Sequence, residues 1–259
     1  MDRHITEIEL RDVRFSYNPE EAVLQGINLK VEQNETIAIV GPTGGVKSTL
    51  INIICRFYEP TSGEVLINGY DYRQRSLHWL QSSLGMVLQT SHVFSRSIRD
   101  NIQYGKLDAT QDELVAAAKI AGAHDLIMEK EDGYDTILGE AGHQLSSGEK
   151  QLISFARAIL ADPQILIMDE ATSSVDSVTE SRIQAGLQHV LEGHIAFVIA
   201  HRLSTIRSAT RILVIDDGCI MEQGTHHQLL ALRGHYYELY RQQRMNTIAD
   251  DTGNWLKDV

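Results

Sequence analysis

The chain has 259 residues, 42% of them hydrophobic, and a net charge of −12. That is enough for one large core or two small ones, and the acidic balance argues against a general nucleic-acid binder, which needs a basic face. Cys55 and Cys219 form neither a disulfide framework nor a metal cluster and read as free thiols.

The opening MDRHITEIEL reads as free of a signal peptide, and no run of about 18 apolar residues is present, so membrane spans would have to come from elsewhere. Ile8 to Phe15 and Gly26 to Val31 read as strands with turns between them. Thr36 to Val40 (TIAIV) is an unbroken apolar, β-branched run, the pattern of a strand buried on both faces. It runs into GPTGGVKSTL and then into the apolar stretch Leu50 to Phe57, giving strand, glycine-rich loop, helix. Val65 to Asn68 predicts another short strand. From about Ser97 to Leu160 the chain turns helical, as in QDELVAAAKIAGAHDLI, with acidic residues near its start. Ile165 to Met168, Ala196 to Ala200 and Ile212 to Ile215 then predict central strands of a mostly parallel sheet, with a helix over Val178 to Leu191. After about Gln243 the periodicity is lost, and 244–259 reads as a flexible tail.

The segment Gly41, Pro42, Thr43, Gly44, Gly45, Val46, Lys47, Ser48, Thr49 fits the phosphate-loop pattern G-x-x-x-x-G-K-[ST] at all positions but one. Backbone N–H groups and a helix N-terminus surround the phosphates, Lys47 reaches the β/γ oxygens, and Ser48 supplies a hydroxyl to Mg²⁺. Val46 stands where the second glycine belongs. A β-branched residue at positive φ would be strained by about 1–2 kcal/mol. Three readings fit: a variant that weakens ATP binding, a deliberately disabled site, or a turn absorbed by Gly45 with Val46 at ease in the helix.

Asp169 and Glu170 follow the strand run Ile165 to Met168 directly. Carboxylates at the C-terminal edge of a parallel strand sit where α/β proteins bind ligands. Asp169 fits a magnesium anchor, and Glu170 fits a general base or water orienter for attack on a γ-phosphate. His201 ends the run Ala196 to Ala200, placed to contact the γ-phosphate or the attacking water. The pair His226-His227 reads as a solvated loop rather than a metal site.

Together the motifs resemble those of the ABC ATPases. LSSGEKQ (Leu145 to Gln151) is similar to the family signature LSGGQ, ILIMDEATSSVD (Ile165 to Asp176) to its Walker B and D-loop, VLQ (Val87 to Gln89) to its Q-loop, and IAHRLSTI (Ile199 to Ile206) to its switch-histidine loop. Tyr17 in FSYNP looks like the aromatic residue that stacks on adenine. The resemblance runs from about Ile8 to Tyr240, with every motif in the family's order. VLQTSHVFSRSIRDNI, LGEAGHQ and GTHHQLLALRGHYYELY are similar to exporters.

The resemblance implies a P-loop NTPase α/β core with a mostly parallel sheet, an N-terminal antiparallel β subdomain and an inserted α-helical subdomain. The core would cover about 1–95 and 161–243, and the insertion about 96–160. It also implies a head-to-tail dimer, homo- or heterodimeric, with ATP and Mg²⁺ between two such domains. Lys47, Gln89, Glu170 and His201 would be catalytic, and Ser48, Gln89 and Asp169 would hold the metal. Ser146, Ser147, Gly148 and Glu149 would face the partner's nucleotide in trans, and Asp176 would bridge the two sites. Ser147 and Glu149 depart from the family's glycine and glutamine. The expected place is the cytoplasmic face of a membrane, against the transmembrane domain of an exporter, with ATP hydrolysis powering transport. The competing readings are a nucleotide-binding module with impaired hydrolysis because of Val46, and a soluble ABC ATPase of DNA repair or translation. The acidic balance and the lack of a long coiled-coil insertion count against the last.

Overall fold

The structure, a computed structural model, describes residues 4–42, 44–88, 92–139, 142, 145–169, 177–191, 193–200 and 202–242. β1 (Glu7–Asn18) and β2 (Glu21–Glu32) form an antiparallel hairpin, and the two predicted N-terminal strands lie within them. β4 (Ser62–Ile67) and β5 (Tyr70–Asp71) complete an antiparallel sheet in the order β2-β1-β4-β5. Along β1, Ile8 and Leu10 are buried, and so are Val13 and Phe15, although the alternation between the two pairs is out of step. A register shift between Leu10 and Val13, with Asp12 at φ 44°, absorbs the extra residue. Both halves of the strand therefore keep their apolar side inward.

The second sheet has the order β10-β9-β3-β8-β7-β6. β3 (Thr36–Val40), β6 (Leu84–Val87), β7 (Ile165–Asp169), β8 (Ile195–Ile199) and β9 (Arg211–Asp216) run parallel; β10 (Cys219–Gly224) pairs antiparallel with β9 at one edge. All four predicted apolar runs occupy the interior of this sheet. Successive residues of a strand point to opposite faces, so these runs feed two cores. Ile37, Ile39, Ile165, Ile167, Phe197 and Leu213 pack toward the β subdomain. Ala38, Val40, Leu166, Met168, Val198 and Ile212 pack toward the helices inserted after β6.

α1 (Val46–Ile54) follows β3, and α2 (Leu77–Ser82) precedes β6. Between β6 and β7 lie α3 (Ile98–Gln103), α4 (Gln111–Ile120), α5 (His124–Met128) and α6 (Ser147–Ala161). The single predicted helix QDELVAAAKIAGAHDLI is thus two, broken at Gly122, whose φ of +73° leaves the right-handed helical region. α7 (Ser177–Leu191), α8 (Leu203–Ser208), α9 (His226–Leu232) and a helical stretch at 235–242 complete the described chain.

His226 is not in a solvated loop. It opens α9, is buried, and its Nδ1 lies 2.7 Å from the Tyr236 hydroxyl, while His227 next to it is exposed. The cap of α9, a reciprocal pair between Thr225 and Gln228, starts a helix where the HH doublet suggested a loop.

Candidate nucleotide site

β3 ends at Val40, and the chain turns at Gly41, where φ is +152° and a Cβ would run into the Ile215 carbonyl oxygen of β9. No other residue fits that approach. The loop then enters α1 at Val46. Gly45, the residue before it, has φ −59° and ψ −4°, and Val46 is absent from the left-handed positions among the described residues. The strain expected of a β-branched residue at positive φ is therefore not present. Val46 packs against the core beneath the sheet.

Lys47 is 6% exposed. Its Nζ donates to the Gly41 carbonyl at 3.0 Å and the Pro42 carbonyl at 2.6 Å. An ammonium has three donors, so these two contacts fix the amine over the loop and leave one for a phosphate oxygen. Burial lowers the Lys47 pKa, and the Asp169 carboxylate opposes that shift. Asp169 is the last residue of β7, opposite Ile199 at the end of β8, and β8 in turn pairs with β3. The topology thus brings the loop lysine and the acidic strand end to one sheet edge. Ser48 is exposed at the start of α1. Thr49 is buried; its hydroxyl lies 2.7 Å from the Gly45 carbonyl and 3.0 Å from the Tyr17 hydroxyl.

Tyr17 is half exposed and meets Phe15 and Tyr58 edge-on. Between Tyr17 and the start of α1 opens a cavity of about 370 Å³, walled by Asn18, Ala22, Val46, Thr49 and Gly218 among others. An aromatic face beside an N-terminal helix turn suits a purine joined to phosphates. Gly44 and Gly45 are exposed along the loop. Gly41, Pro42, Gly44, Gly45, Val46, Lys47, Ser48, Thr49 and Tyr17 are thus gathered in one region. Thr43, Gln89, Glu170, Asp176 and His201 lie outside the described residues.

The segment Ser146 to Glu149 forms the N-terminus of α6. Ser146 and Ser147 are exposed and Gly148 is buried. The Ser146 hydroxyl accepts from the Glu149 N–H at 3.2 Å, and the Glu149 carboxylate accepts from the Ser146 N–H at 2.7 Å. Further along α6, Arg157 was not singled out from sequence. Its guanidinium donates to the Asn101 carbonyl at 2.8 Å, to Asn101 Oδ1 at 3.3 Å and to the His92 carbonyl at 3.2 Å. It lies 5.4 Å from the Phe94 ring centre and 5.8 Å from that of Tyr104. Burial lowers its pKa, and among the described residues it makes no ion pair. Phe94, Tyr104 and Leu107, which is 78% exposed, line an open groove of about 410 Å³ above it. The available signal was a lone charge in ISFARAIL, a stretch apolar apart from Ser154 and Arg157.

A family model described as ABC transporter matches residues 24–173, more than half of the chain. The chain belongs to the ABC transporter family. An ATP-dependent lipid A-core flippase of Syntrophus aciditrophicus (strain SB) is 45% identical over 248 residues, 95% of this chain and 41% of its own length. The Beta-(1-->2)glucan export ATP-binding/permease protein NdvA of Rhodopseudomonas palustris (strain BisB18) is 47% identical over 238 residues, 92% of this chain and 39% of its own. A solved bacterial Atm1-family ABC exporter with ATP bound superposes with a TM-score of 0.86 at 39% identity, covering 94% of this chain and 42% of that one. The chain therefore spans about two fifths of the length of these relatives. Its fold is that of the ATP-binding domain of an ABC exporter, a P-loop NTPase α/β core with an antiparallel β subdomain and helices inserted between β6 and β7. Among the described residues no helix is long and apolar enough to cross a membrane.

Proposed function

We propose that this ABC transporter domain binds MgATP on its phosphate loop and hydrolyses it in a head-to-tail dimer. The observation that carries this is the fixed ammonium of Lys47, held over the loop by the Gly41 and Pro42 carbonyls at the sheet edge where β7 delivers Asp169. The exposed Ser48 hydroxyl and the Asp169 carboxylate would hold Mg²⁺, which supplies charge neutralisation of the β- and γ-phosphates. Gln89 would join that metal shell, and Glu170 would polarise the attacking water with His201 beside the γ-phosphate. Tyr17 would stack on the base. The exposed N-terminus of α6, with Ser146 at its cap, would cover the partner's γ-phosphate.

The permease part of a longer exporter is the second partner. The groove lined by Phe94, Tyr104 and Leu107 is its docking place: the relative NdvA, more than twice this length, carries an ATP-binding/permease name, and the groove's aromatic wall is held from below by Arg157. In this reading the domain works at the cytoplasmic face of a membrane. The transport of lipid or glucan named for the relatives is not carried over, because substrate choice belongs to the permease part.

The test is MgATP turnover against protein concentration. A composite site requires specific activity to rise with concentration toward a plateau; activity independent of concentration sinks the dimer. Glu170→Gln should abolish turnover while preserving MgATP-dependent dimers, and surviving turnover would remove Glu170 from its role. A nucleotide-binding module with weak turnover is the second reading. Val46 in the wall of the Tyr17 cavity favours it.

A further inference from the structure

The signature of this chain carries a carboxylate, Glu149, where the family's glutamine is neutral. Glutamate caps α6 as well as glutamine could, since one oxygen accepts from the Ser146 N–H at 2.7 Å. Its full charge also favours the helix N-terminus. For docking an anion the same charge is adverse, because it lies in the helical turn that would face a γ-phosphate.

The other carboxylate oxygen, Oε1, accepts from Lys130 Nζ at 2.8 Å. Lys130 lies just past α5 within Glu129-Lys130-Glu131-Asp132, whose three carboxylate residues are exposed. Its amine nevertheless reaches α6. The side chains of Lys130 and Glu149 are 29% and 23% exposed, so the pair is better shielded than the surface pair Lys106–Glu113 at 41% and 45%. Burial raises the Glu149 pKa, and the bonds from Lys130 and Ser146 outweigh it, so the carboxyl stays below its ordinary value and ionised. A shielded charge is screened less by salt than an exposed one.

We propose that Lys130 is a positioning residue for the nucleotide of the opposing domain: by neutralising Glu149 it keeps the N-terminus of α6 able to accept a γ-phosphate. The inference rests on the composite-site reading above. Lys130 touches no nucleotide in this scheme; it acts through Glu149.

The experiment compares the parent chain with Lys130→Met, Glu149→Gln and the double variant, with Lys130→Arg as the conservative control. MgATP-dependent dimer formation is followed by sedimentation velocity, beside turnover against protein concentration. Lys130→Met should weaken dimer formation by roughly tenfold at low salt, the scale of one uncompensated charge at an interface. The loss should shrink as salt rises. Lys130→Arg should restore association, and Glu149→Gln should tighten it. The decisive result is the double variant: it should match Glu149→Gln, because no charge is left to offset. A Lys130→Met chain that associates like the parent overturns the proposal. So does a Lys130→Met defect of undiminished size in the Glu149→Gln background, which would mark a structural or direct role. If the parent chain forms no MgATP-dependent dimer and its turnover is independent of concentration, the composite-site reading has failed and the inference falls with it.

Discussion

Replacing Val46 with glycine restores the phosphate-loop pattern, and the structure predicts that it will also destabilise the unliganded fold. Val46 opens α1 in right-handed conformation and packs on the core, so no backbone strain is relieved by its removal. Full burial of a valine side chain is worth about 1.5–3 kcal/mol, and Val46 is partly buried, so about 1 kcal/mol of packing is lost. Glycine in a helix adds roughly 0.5 kcal/mol through backbone entropy. A loss of about 1.5 kcal/mol lowers the melting temperature of a domain this size by about 3–6 °C. The effect on ATP has the opposite sign, because Val46 stands in the wall of the Tyr17 cavity and its removal opens that wall toward the loop. A ligand stabilises the fold by RT ln(1 + [L]/Kd), so the MgATP-induced rise in melting temperature should be larger in Val46→Gly than in the parent. The assay is thermal unfolding by circular dichroism with and without a MgATP titration. A Val46→Gly chain that melts at or above the parent without nucleotide refutes the unstrained geometry. Equal MgATP-induced shifts would remove the idea that Val46 disables the loop.

Gly41→Ala should abolish ATP binding and cost more than about 2 kcal/mol of stability, because its Cβ would meet the backbone oxygen of Ile215 rather than a movable side chain; thermal unfolding and an ATP titration check both. Arg157→Ala leaves the Asn101 and His92 carbonyls without their donor, which should cost about 2–4 kcal/mol by urea denaturation. Arg157→Lys should recover less than half of that, since an ammonium lacks the planar fork. His226 is buried, and burial first, then Arg207 and His227, lowers its pKa from the ordinary value of 6.5, while Tyr236 holds Nδ1. The folded state therefore resists protonation while the unfolded chain accepts it, so stability is full above pH 6.5 and falls as the pH drops below it. His226→Gln should flatten that part of the stability curve, and an unchanged slope would remove His226 as its source.

The parts of the fold legible in the sequence are those whose cause is local. TIAIV, ILIM, AFVIA and ILVI are buried on both faces, so they show as unbroken apolar runs, and all four are interior strands. β6 carries no strand signal in the sequence because it has four residues at the sheet edge and its Met86 is exposed. β10 mixes polar and apolar residues at the other edge. The strand over Ile8 to Phe15 was legible but its bulge at Asp12 was not, and the alanines around Gly122 hide the break between α4 and α5. The strand–loop–helix around Lys47 and the strand ending at Asp169 were legible because each is one contiguous segment. Arg157 meets Asn101 across 56 residues of sequence, Lys130 meets Glu149 across 19, and His226 meets Tyr236 across 10. Spacing alone does not reveal such pairs; the fold sets Arg157 of α6 against Asn101 of α3 and carries Lys130 to Glu149 at the start of α6.

The phosphate loop and the signature segment sit on different elements of the domain. Gly41 and Lys47 belong to the sheet edge, while Ser146 and Glu149 belong to the N-terminus of α6. If each site is built from the loop of one chain and the signature of the other, a loop variant and a signature variant are defective in different halves. Take Gly41→Ala as the first and Ser146→Asp, whose charge would repel a γ-phosphate, as the second. Each variant alone has no intact site in its dimer. In a mixed dimer, the intact loop of one meets the intact signature of the other, and the second site collects both defects. Random association makes half of the dimers mixed, each with one of its two sites whole, so an equimolar mixture should recover roughly a quarter of the parent's site activity. Complementation of two inactive chains cannot arise if each domain completes its own site. A mixture as inactive as its components, with MgATP-dependent mixed dimers seen in sedimentation, would show that the signature does not act in trans.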